Sequence, residues 1–378
     1  MVENIEQIIK ENSSGKVEWK KLKEVVSFRN WVWHEKSISG NGKYIVVNSK
    51  FISTEWYVKK YSDSQISPLY KDEILLVMSD LPNWKALAKC FLVDEDGKYT
   101  LNQRIWALRV EDETYVLPRY LYYIVNRNKQ LLKYDDWSNQ TNLRKDDILN
   151  INIPVPSIDE QKKIIWILDK FTELEAELEA ELEARKSQYE YYRSKLLDFS
   201  GSSRERELIT LTMWDIYDFQ YWTWNTIPEN KWEYPVYWSN GIVWYHTEYN
   251  SEDAPVIWHI WAYAWIVNWG KWKHFVTYNW VICKHKNNLV NKRYAYYLLL
   301  TQNYIWWQKW AQPFVSYDLL KAPEVKVPSL DEQERIVNIL DKFSTLTNDI
   351  TEWLPAEIEM RHKQYEYYRN KLLTFNEA

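Results

Sequence analysis

The stretch VPSIDEQ at residues 155–161 decides the organisation of this chain, because it returns as VPSLDEQ at residues 327–333. The repeat continues a few residues later, where ILDKF at 167–171 recurs at 339–343. The offset between the two copies is 172 residues at both blocks. A duplication of this length predicts two structurally equivalent halves rather than a solenoid of short repeats.

The similarity extends outward from these blocks in both directions. Downstream, QYEYYRSKLLDF at 188–199 matches QYEYYRNKLLTF at 364–375. Upstream, PRYLYYIV at 118–125 resembles KRYAYYLL at 292–299 more loosely. Each half is therefore a variable segment followed by a nearly constant one. A protein with two equivalent halves commonly meets a ligand or partner that also comes in two parts.

Composition limits the class of protein. The chain has 378 residues, of which 46% are hydrophobic, and this is enough for two domain cores of ordinary size. No run of 18 apolar residues predicts a membrane span, and the N-terminal residues lack the pattern of a secretory signal. Cys90 and Cys283 stand alone in the sequence, which is typical of a reducing compartment. We therefore expect a cytoplasmic protein with neither a disulfide nor a metal site.

Net charge is unevenly distributed along the chain. The total is −5, but the two constant segments carry −4 each, whereas the variable segments carry +2 and +1. This is too little positive charge to hold nucleic acid by bulk electrostatics. If the variable segments bind nucleic acid, we expect their Lys and Arg residues to be gathered on one face or complemented by a partner.

The constant segments have the periodicity of long amphipathic helices. In the first, apolar residues recur every three or four positions from Ile164 to Leu196, and the tetrads LEAE, LEAE and LEAR fill residues 174–185. The second copy repeats the apolar stripe and adds four residues near Pro355, where we expect a break or kink. Two such helices predict an antiparallel coiled coil that holds the variable domains roughly 60 Å apart. The alternative for the LEAE tract is a solvated acidic helix.

The variable segments combine short strand-like runs with single helices. YIVV at 44–47, EILLVM at 73–78 and RIWALRV at 104–110 predict strands, separated by turn residues such as DEDG at 94–97. RYLYYIV and its counterpart RYAYYLLL predict helices. The fold class that these patterns predict is α+β, with two mixed, mostly sheet domains and two long antiparallel helices, related by an internal pseudo-two-fold duplication.

Together these motifs resemble the specificity subunit of a Type I restriction-modification system. A P-x-x-x-E-Q block that opens a long helix, a Q-Y-x-Y-Y-R-x-K-L-L end to that helix, and two variable domains alternating with them cover nearly the whole chain after Val17. The resemblance implies that each variable domain is a target recognition domain that reads one half of a bipartite, asymmetric DNA sequence. It implies recognition domains at 1–154 and 204–327, each followed by a spacer helix, at 155–203 and 328–378.

The resemblance also implies the partners. The paired helices would dock two methyltransferase subunits, and restriction and translocase subunits would join for cleavage. S-adenosylmethionine, ATP and Mg²⁺ would serve those subunits, and no cofactor is expected in this chain.

The chain contains no methyltransferase N-P-P-[FY] or D-P-P-[FY] motif and no G-x-G-x-x-G or G-x-x-x-x-G-K-[ST] loop. We therefore expect a non-catalytic subunit that binds double-stranded DNA. Two alternatives are a duplicated coiled-coil scaffold that bridges two partners without binding DNA, and a stand-alone hydrolase. The hydrolase lacks a recognisable nucleophile constellation.

Candidate DNA contacts follow from residue type and position. Arg and Lys suit guanine and phosphate, Asn and Gln suit adenine, and loops or helix ends can reach into a groove. In the first domain the candidates are Asn48, Ser49, Lys50, Asn83, Lys85, Lys89, Asn102, Gln103 and Arg104. In the second domain they are Ser239, Asn240, Asn268, Lys271, Lys273, His274 and Asn279. For each, the alternative is an ordinary solvated loop residue.

The repeated sequence YEYYR predicts contacts to the methyltransferase subunits. Aromatic side chains beside an arginine are favoured anchors in protein interfaces. The candidates are Tyr189, Tyr192, Arg193, Tyr365, Tyr368 and Arg369. The alternative is that these tyrosines only seal the helix pair against its own domains.

Tryptophan and glycine usage departs from the ordinary pattern. The chain has 24 Trp and 7 Gly, whereas average usage of about 7% predicts about 26 glycines. Several tryptophans occupy turn-like positions that suit glycine, namely Trp56, Trp84, Trp137, Trp238 and Trp310. If they replace glycines, we expect them at positive φ or where a large ring lacks room. The alternative is a set of platforms on which bases stack.

Overall fold

The computed structural model describes residues 5–10, 17–29, 38–80, 86–135, 140–200, 207–221, 233–238, 241–258, 266–302 and 315–375, apart from the side chains of 237–238, 241–244 and 346–352. The chain divides into two compact units, one of residues 1–178 and 356–378 and one of residues 179–355. Each unit combines one variable segment with parts of both constant segments. The segment boundaries given above for the recognition domains and spacers stay a prediction.

The first unit contains two four-stranded sheets and two short strand pairs. Its strands are β1 (Glu18–Lys21), β2 (Val26–Arg29), β3 (Ile38–Ser39), β4 (Tyr44–Val47), β5 (Tyr61–Ser62), β6 (Ile74–Val77), β7 (Ser79–Asp80), β8 (Cys90–Leu92), β9 (Tyr99–Leu101), β10 (Ile105–Val110), β11 (Thr141–Asn142) and β12 (Asn152–Val155). Its short helices are α1 (5–10), α2 (Ser49–Ser53), α3 (Pro118–Val125), α4 (Lys129–Leu132) and α5 (Lys145–Leu149). The strand orders are β2-β10-β6-β8, β3-β5-β4-β9, β1-β12 and β11-β7.

The apolar run of β6 is explained by burial on both faces of its sheet. Successive residues of a strand point to opposite faces. Ile74 and Leu76 lie in one apolar cluster together with Ile164 of the first constant segment, whereas Leu75 and Val77 lie in a second cluster. The predicted strands at YIVV, EILLVM and RIWALRV are confirmed as β4, β6 and β10, and the helix at RYLYYIV is confirmed as α3.

The second unit is built on one six-stranded sheet. Its strands are β13 (Ile209–Thr212), β14 (Tyr217–Tyr221), β15 (Tyr234–Trp238), β16 (Gly241–His246), β17 (Ser251–Trp258), β18 (Val267–Val276), β19 (Trp280–His285) and β20 (Glu324–Val327). Its short helices are α7 (Met213–Ile216), α8 (Lys292–Thr301) and α9 (Tyr317–Lys321). The strand orders are β14-β19-β17-β18-β15-β16 and β13-β20, and α8 confirms the helix predicted at RYAYYLLL.

Two long helices continue the short strands β12 and β20. They are α6 (Ile158–Leu197) and α10 (Leu330–Leu372). A capping box opens α6, because the Glu160 amide donates to Ser157 Oγ while a Glu160 carboxylate oxygen accepts from the Ser157 amide. Within the described ranges, no helix combines the length and the apolar character that a membrane span requires.

The second long helix passes through its proline without a break. Of the two outcomes expected at Pro355, the break is wrong, because α10 is continuous from Leu330 to Leu372, and the kink stays a prediction. Pro355 and Trp353 are both exposed. Water can therefore bond the carbonyl that the proline leaves without an intrahelical donor, which allows the surrounding turns to persist.

Within each unit, the start of one long helix packs antiparallel to the end of the other. In the first unit, Phe171 of α6 stacks on Tyr368 of α10 with ring centroids 5.6 Å apart, and Glu175 lies 3.4 Å from His362. Residue numbers thus rise along α6 as they fall along α10. In the second unit, Phe343 of α10 stacks on Tyr192 of α6, also at 5.6 Å.

Candidate nucleic-acid interface and helix docking sites

A carboxylate on α6 attaches the recognition domain of the first unit to the long helix. Asp169 of the ILDKF block accepts a hydrogen bond from Arg119 Nε at 2.7 Å and another from the Tyr123 hydroxyl, both on α3. Tyr123 is buried, and burial together with its bond to Asp169 raises the pKa of its hydroxyl well above the ordinary value. The hydroxyl therefore stays protonated and remains a donor.

The second unit repeats this attachment with its own residues. Asp341 accepts from Arg293 Nε at 2.8 Å and from the Tyr297 hydroxyl, both on α8. Arginine and tyrosine stand four residues apart on both short helices, so both side chains lie on one face and reach the same carboxylate. In each unit, therefore, the repeated aspartate of a long helix binds the arginine and the second tyrosine of an R-Y-x-x-Y sequence on a short helix.

A buried glutamine completes each docking site. Gln161 is fully buried, accepts from the Leu117 amide at 2.9 Å and donates to the carbonyls of Tyr115 and Pro156. Its side chain therefore satisfies two backbone groups where the chain enters α3 and one where it enters α6. Gln333 does the same in the second unit, where it bonds the Asn291 amide at 2.7 Å and the carbonyls of Leu289 and Pro328.

These docking residues were not predicted from the sequence, although both copies display them. From the sequence, DEQ and LDKF indicate a repeat and the start of a long helix, and the RYxxY segments indicate helices, but neither pattern indicates the contact between them. Two features of the sequence could have revealed them. One aspartate and one glutamine are identical in both copies, and the spacing between arginine and tyrosine is the same on α3 and α8. Identical charged and amide residues within a buried apolar pattern indicate a repeated internal contact.

The predicted partner-binding residues of the second copy are covered by their own unit. Tyr368 stacks on Phe171 and is 9% exposed, and Tyr365 packs on the same core, where burial raises its pKa to about 12. Arg369 is buried and donates to the carbonyls of Tyr123 and Asn126 at the end of α3. These contacts favour the alternative in which the repeat seals the helix pair, and a role in partner binding stays a prediction.

The equivalent residues of the first copy are more accessible. Tyr192 is 41% exposed although it stacks on Phe343. The Arg193 guanidinium lies 5.4 Å from the centroid of the Tyr189 ring, and burial raises the pKa of Tyr189. Their role in binding a partner likewise stays a prediction.

Two groups of candidate DNA contacts in the first unit meet at one edge of a sheet. Strands β4 and β9 run parallel, with Val47 opposite Leu101, so the residues after both strands leave the sheet at the same edge. The Asn102 amide donates to the Val47 carbonyl at 3.1 Å and ties the two segments together. Asn48 caps α2 by accepting from the Phe51 amide at 2.9 Å.

Exposure differs among the candidates at this edge. Lys50 and Arg104 are exposed, and within the described part of the chain neither forms an ion pair. Ser49 and Gln103 are half-buried, Asn102 is buried, and Lys89 forms an ion pair with Glu55 at 2.8 Å. Asn83 and Lys85 lie outside the described residues. The edge thus offers one lysine and one arginine to a ligand, supported by amide side chains that fix the loops.

In the second unit, three candidates follow one strand, and of these Lys271 is exposed whereas Lys273 is half-buried. Lys271 and Lys273 belong to β18, and the Lys273 ammonium lies 4.6 Å from the centroid of the Tyr249 ring. Asn268 also belongs to β18, where it lies opposite Val256 of β17, and it is half-buried. Tyr249 was not among the predicted residues. Its contact with Lys273 depends on how the strands pair, and the sequence does not show that pairing.

Two of the second unit's candidates are buried. The His274 ring is fully buried, its Nδ1 lies 2.9 Å from the Trp272 carbonyl, and burial lowers its pKa. Asn279 is 5% exposed in the turn after β18. Neither side chain is presented at the surface in this structure. Ser239 and Asn240 lie outside the described residues.

Cysteine and metal chemistry have no site among the described residues. Cys90 and Cys283 are both buried free thiols, and burial raises the pKa of each well above the ordinary value, so neither is a ready nucleophile. No group of three or more His, Cys, Asp or Glu side chains in the described ranges is arranged to hold a metal ion.

Comparison with known proteins places these features in a family. The family model described as "Type I restriction modification DNA specificity domain" matches residues 15–184 and 190–360. The chain is 30% identical over 397 residues to a chain of Haemophilus influenzae assigned to the type I restriction enzyme specificity subunits, covering 96% of both. It is 32% identical over 303 residues to the EcoR124I/EcoR124II specificity subunit of Escherichia coli, covering 70% of this chain and 72% of that protein.

Solved structures agree on the fold. The S subunit of a Type-I restriction-modification system from M. genitalium has a TM-score of 0.57 at 16% identity, covering 97% of this chain and 98% of that one. A chain from a structure titled for complex assembly and conformational transition of the type I R-M system has a TM-score of 0.58 at 12% identity. At these identities the likeness concerns the fold alone.

Proposed function

Because the chain belongs to the family of Type I restriction-modification DNA specificity subunits, we propose that its two recognition domains each read one half of a bipartite, asymmetric DNA target. The chain is the non-catalytic subunit that recognises the DNA target of such a system. The division of the target into two halves rests on the duplication, because each half of the chain supplies one recognition domain.

One observation carries this proposal: the attachment of the domains is repeated, whereas their outer loops are not. Asp169 and Asp341 make the same pair of contacts, and Gln161 and Gln333 make the same three. The candidate contact loops differ in sequence between the two domains, for example NSK at 48–50 against WSN at 238–240. Two recognition surfaces that differ from each other, attached to the long helices by the same contacts, suit two different half-sites.

We assign the direct contacts to basic side chains at each surface. Arg104 and Lys50 in the first domain, and Lys271 and Lys273 in the second, can donate to guanine edges or phosphates. The weak net charge of these domains means that affinity from phosphate contacts alone would be low. A partner that adds positive charge would therefore strengthen binding.

The partners follow from family membership. The chain is part of a Type I restriction-modification assembly. We propose that two methyltransferase subunits bind the paired helices and that restriction and translocase subunits join them for cleavage. S-adenosylmethionine, ATP and Mg²⁺ would be held by those subunits. The assembly would act in the cytoplasm, where its DNA substrate lies.

Competition binding to duplex DNA tests the proposal. The DNA carries the target motif that methylation mapping of cells with this subunit identifies. We expect Arg104→Ala to weaken binding to this DNA by about tenfold to a hundredfold and to relax sequence discrimination in one half-site only. Lys162→Ala is the matched control, because it removes an exposed positive charge from α6, away from the recognition loops. Binding that ignores sequence with methyltransferase present, or that Arg104→Ala leaves unchanged, would favour a scaffold that does not read DNA.

A further inference from the structure

We propose that two exposed tyrosine–lysine pairs, Tyr191 with Lys195 and Tyr367 with Lys371, are the docking points for one methyltransferase subunit each. This inference rests on the proposed function, since it takes the methyltransferase as the partner of the paired helices. It concerns the outward tyrosines of the repeated YEYYR sequence, which were not among the residues predicted from the sequence.

The two pairs have the same geometry in their separate units. Tyr191 is 58% exposed, and the Lys195 ammonium lies 5.9 Å from its ring centroid. Tyr367 is 56% exposed, and the Lys371 ammonium lies 5.8 Å from its ring centroid. Both rings are therefore accessible to another molecule.

Each exposed ring is held in place by the tyrosine that comes next in the chain. Tyr191 packs edge-on against Tyr192 with centroids 5.5 Å apart, and Tyr192 stacks on Phe343. Tyr367 packs against Tyr368 at 5.2 Å in the same way, and Tyr368 is anchored in the core of its unit. A ring that is fixed before binding loses little conformational freedom in an interface.

Comparison of the two copies separates structural from binding roles. Just upstream, exposed positions differ, with Ala184, Lys186 and Ser187 in the first copy against Met360, His362 and Lys363 in the second. Inside the block, the exposed tyrosine and lysine are identical in both copies. Packing on Phe343 and Phe171 explains the identity of Tyr192 and Tyr368, but it does not explain the identity of side chains that face solvent.

The duplication also indicates the kind of occupant. Two identical surfaces on one chain suit two copies of the same partner, which is the arrangement proposed for the methyltransferase. Tyrosine is one of the side chains enriched among the anchors at the centre of protein interfaces. We expect the partner to present an apolar pocket for the ring and a carboxylate for the lysine.

The test measures the stoichiometry of purified chain and methyltransferase by light scattering. We expect two methyltransferases per chain for the wild type, one for Tyr191→Ala, one for Tyr367→Ala and none for the double variant, with at least tenfold weaker binding at each altered site. The control Met360→Ala removes an equally exposed apolar side chain from α10 and should leave two. The double substitution to Phe, which keeps both rings, should also retain assembly.

The outcomes distinguish this inference from the function on which it rests. A double alanine variant with a wild-type thermal midpoint that still binds two methyltransferases would overturn the inference alone. A wild-type chain that binds no methyltransferase would overturn the proposed partner as well. If the chain alone forms a dimer that Tyr191→Ala or Tyr367→Ala abolishes, the surface binds a second copy of the chain, and the inference is overturned.

An independent observation concerns Trp56 and Trp272, which we infer to occupy glycine positions. Both have left-handed backbones, with φ of 66° at Trp56 and 56° at Trp272. A bulky side chain at positive φ is a conformational outlier, whereas glycine adopts it freely. Trp272 is also 78% exposed, so no core packing favours its ring.

Both tryptophans stand in turns of a kind that glycine commonly forms. The Trp56 amide donates to the Phe51 carbonyl at 2.9 Å and closes the end of α2, directly after Glu55, which is also left-handed. Trp272 lies on β18 opposite the bulge at Asp253, and its amide donates to the Asp253 carboxylate at 2.9 Å. Glycine is the residue that bulges and helix ends favour.

Composition extends the inference beyond these two sites. The excess of tryptophan, at 24, accompanies a scarcity of glycine, at 7, against about 26 glycines for a chain of this length. A codon such as UGA, which one variant genetic code assigns to tryptophan and another to glycine, would produce this exchange. We infer that the organism's own ribosomes place glycine at 56 and 272.

Peptide mass spectrometry of the protein from its own cells tests this directly. We expect glycine at both positions, and tryptophan at both would overturn the inference. In a chain made with tryptophan at both positions, Trp272→Gly should raise the denaturant midpoint of unfolding, whereas the control Trp19→Gly, which removes a ring packed on the core from β1, should lower it. A lowered midpoint for Trp272→Gly would count against a glycine position.

Discussion

At the scale of single residues, one carboxylate in each unit decides how the recognition domain is held. Asp169 accepts from a half-exposed arginine and from a buried tyrosine hydroxyl. The ion pair alone contributes little because solvent screens it. The hydrogen bond to the buried hydroxyl matters more, because the hydroxyl would lose its acceptor and incur a desolvation cost if the carboxylate were removed.

We predict that Asp169→Ala lowers the free energy of unfolding by roughly 1–3 kcal/mol, because it strands the Tyr123 hydroxyl. Denaturant unfolding followed by circular dichroism measures this. Glu173→Ala is the control, because it removes an exposed ion pair one turn later on α6 and should cost no more than about 0.5 kcal/mol. Equal losses for both variants would contradict the role given to Asp169.

His274 gives the second unit a predicted dependence on pH. Burial lowers the pKa of its ring, opposed by the hydrogen bond to the Trp272 carbonyl and by the charge of Asp253. The unfolded chain therefore takes up a proton at a higher pH than the folded unit does. Stability is complete above the unfolded pKa of about 6.5 and is lost as pH falls below it.

We therefore expect the free energy of unfolding to decrease as pH is lowered below about 6.5. Substitution His274→Gln should reduce this decrease, and His285, whose pKa burial also lowers, should supply part of the remainder. Equilibrium unfolding at a series of pH values measures the slope. A slope that is the same with and without His274 would show that this ring does not control it.

Among the candidate DNA contacts, the sequence identified several side chains that are exposed, but it could not tell which of the others are buried. Lys50, Arg104 and Lys271 are exposed as contacts with DNA require, whereas His274 and Asn279 were chosen by the same criteria and are buried. Residue type and a nearby turn cannot distinguish these cases. The difference depends on which strand packs over the side chain, and that is set by pairing across the sheet.

At the scale of elements, hydrophobic periodicity predicts the long helices and three strands of the first unit. The run ILLV was recognisable as a strand because it is short and flanked by turn residues, although a strand buried on both faces lacks alternation. Pairing order was not predictable, because β4 pairs in parallel with β9 across more than 50 residues. The break expected in α10 does not occur, because local propensity does not take account of the length of helix on both sides of the proline.

The proline gives an element-scale prediction. Because α10 is continuous through Pro355, Pro355→Ala should restore a backbone donor and raise the free energy of unfolding, by up to about 3 kcal/mol. Glu179→Pro is the reciprocal control in α6 and should lower it by about as much. Thermal unfolding followed by helix circular dichroism compares them. A loss of stability in Pro355→Ala would show that the helix requires the proline.

At the scale of the whole molecule, the repeat in the sequence reappears as two units with matching internal contacts. Stacking of Phe171 on Tyr368 and of Phe343 on Tyr192 has the same centroid distance and the same interplanar angle of 23°. The constant segments thus repeat their contacts where the recognition surfaces diverge. We propose that the length of helix between the two domains sets the spacing of the two half-sites.

Removal of one tetrad, residues 178–181, changes that length without changing either domain. The deletion shortens α6 by ~6 Å and rotates the rest of the helix by about 40°, because four residues slightly exceed one helical turn. The leucine stripe survives, so we expect the helix pair to form. DNA rises ~3.4 Å per base pair, so we expect the gap between the half-sites to shorten by about one or two base pairs.

The most direct measurement is a genome-wide methylation map of cells that carry the wild-type subunit and of cells that carry the tetrad deletion. We predict a bipartite motif for the wild type, and the same two half-sites with a shorter gap for the deletion. A continuous motif in the wild type, or altered half-sites in the deletion, would contradict the claim that two independent domains read DNA at a separation set by the helices.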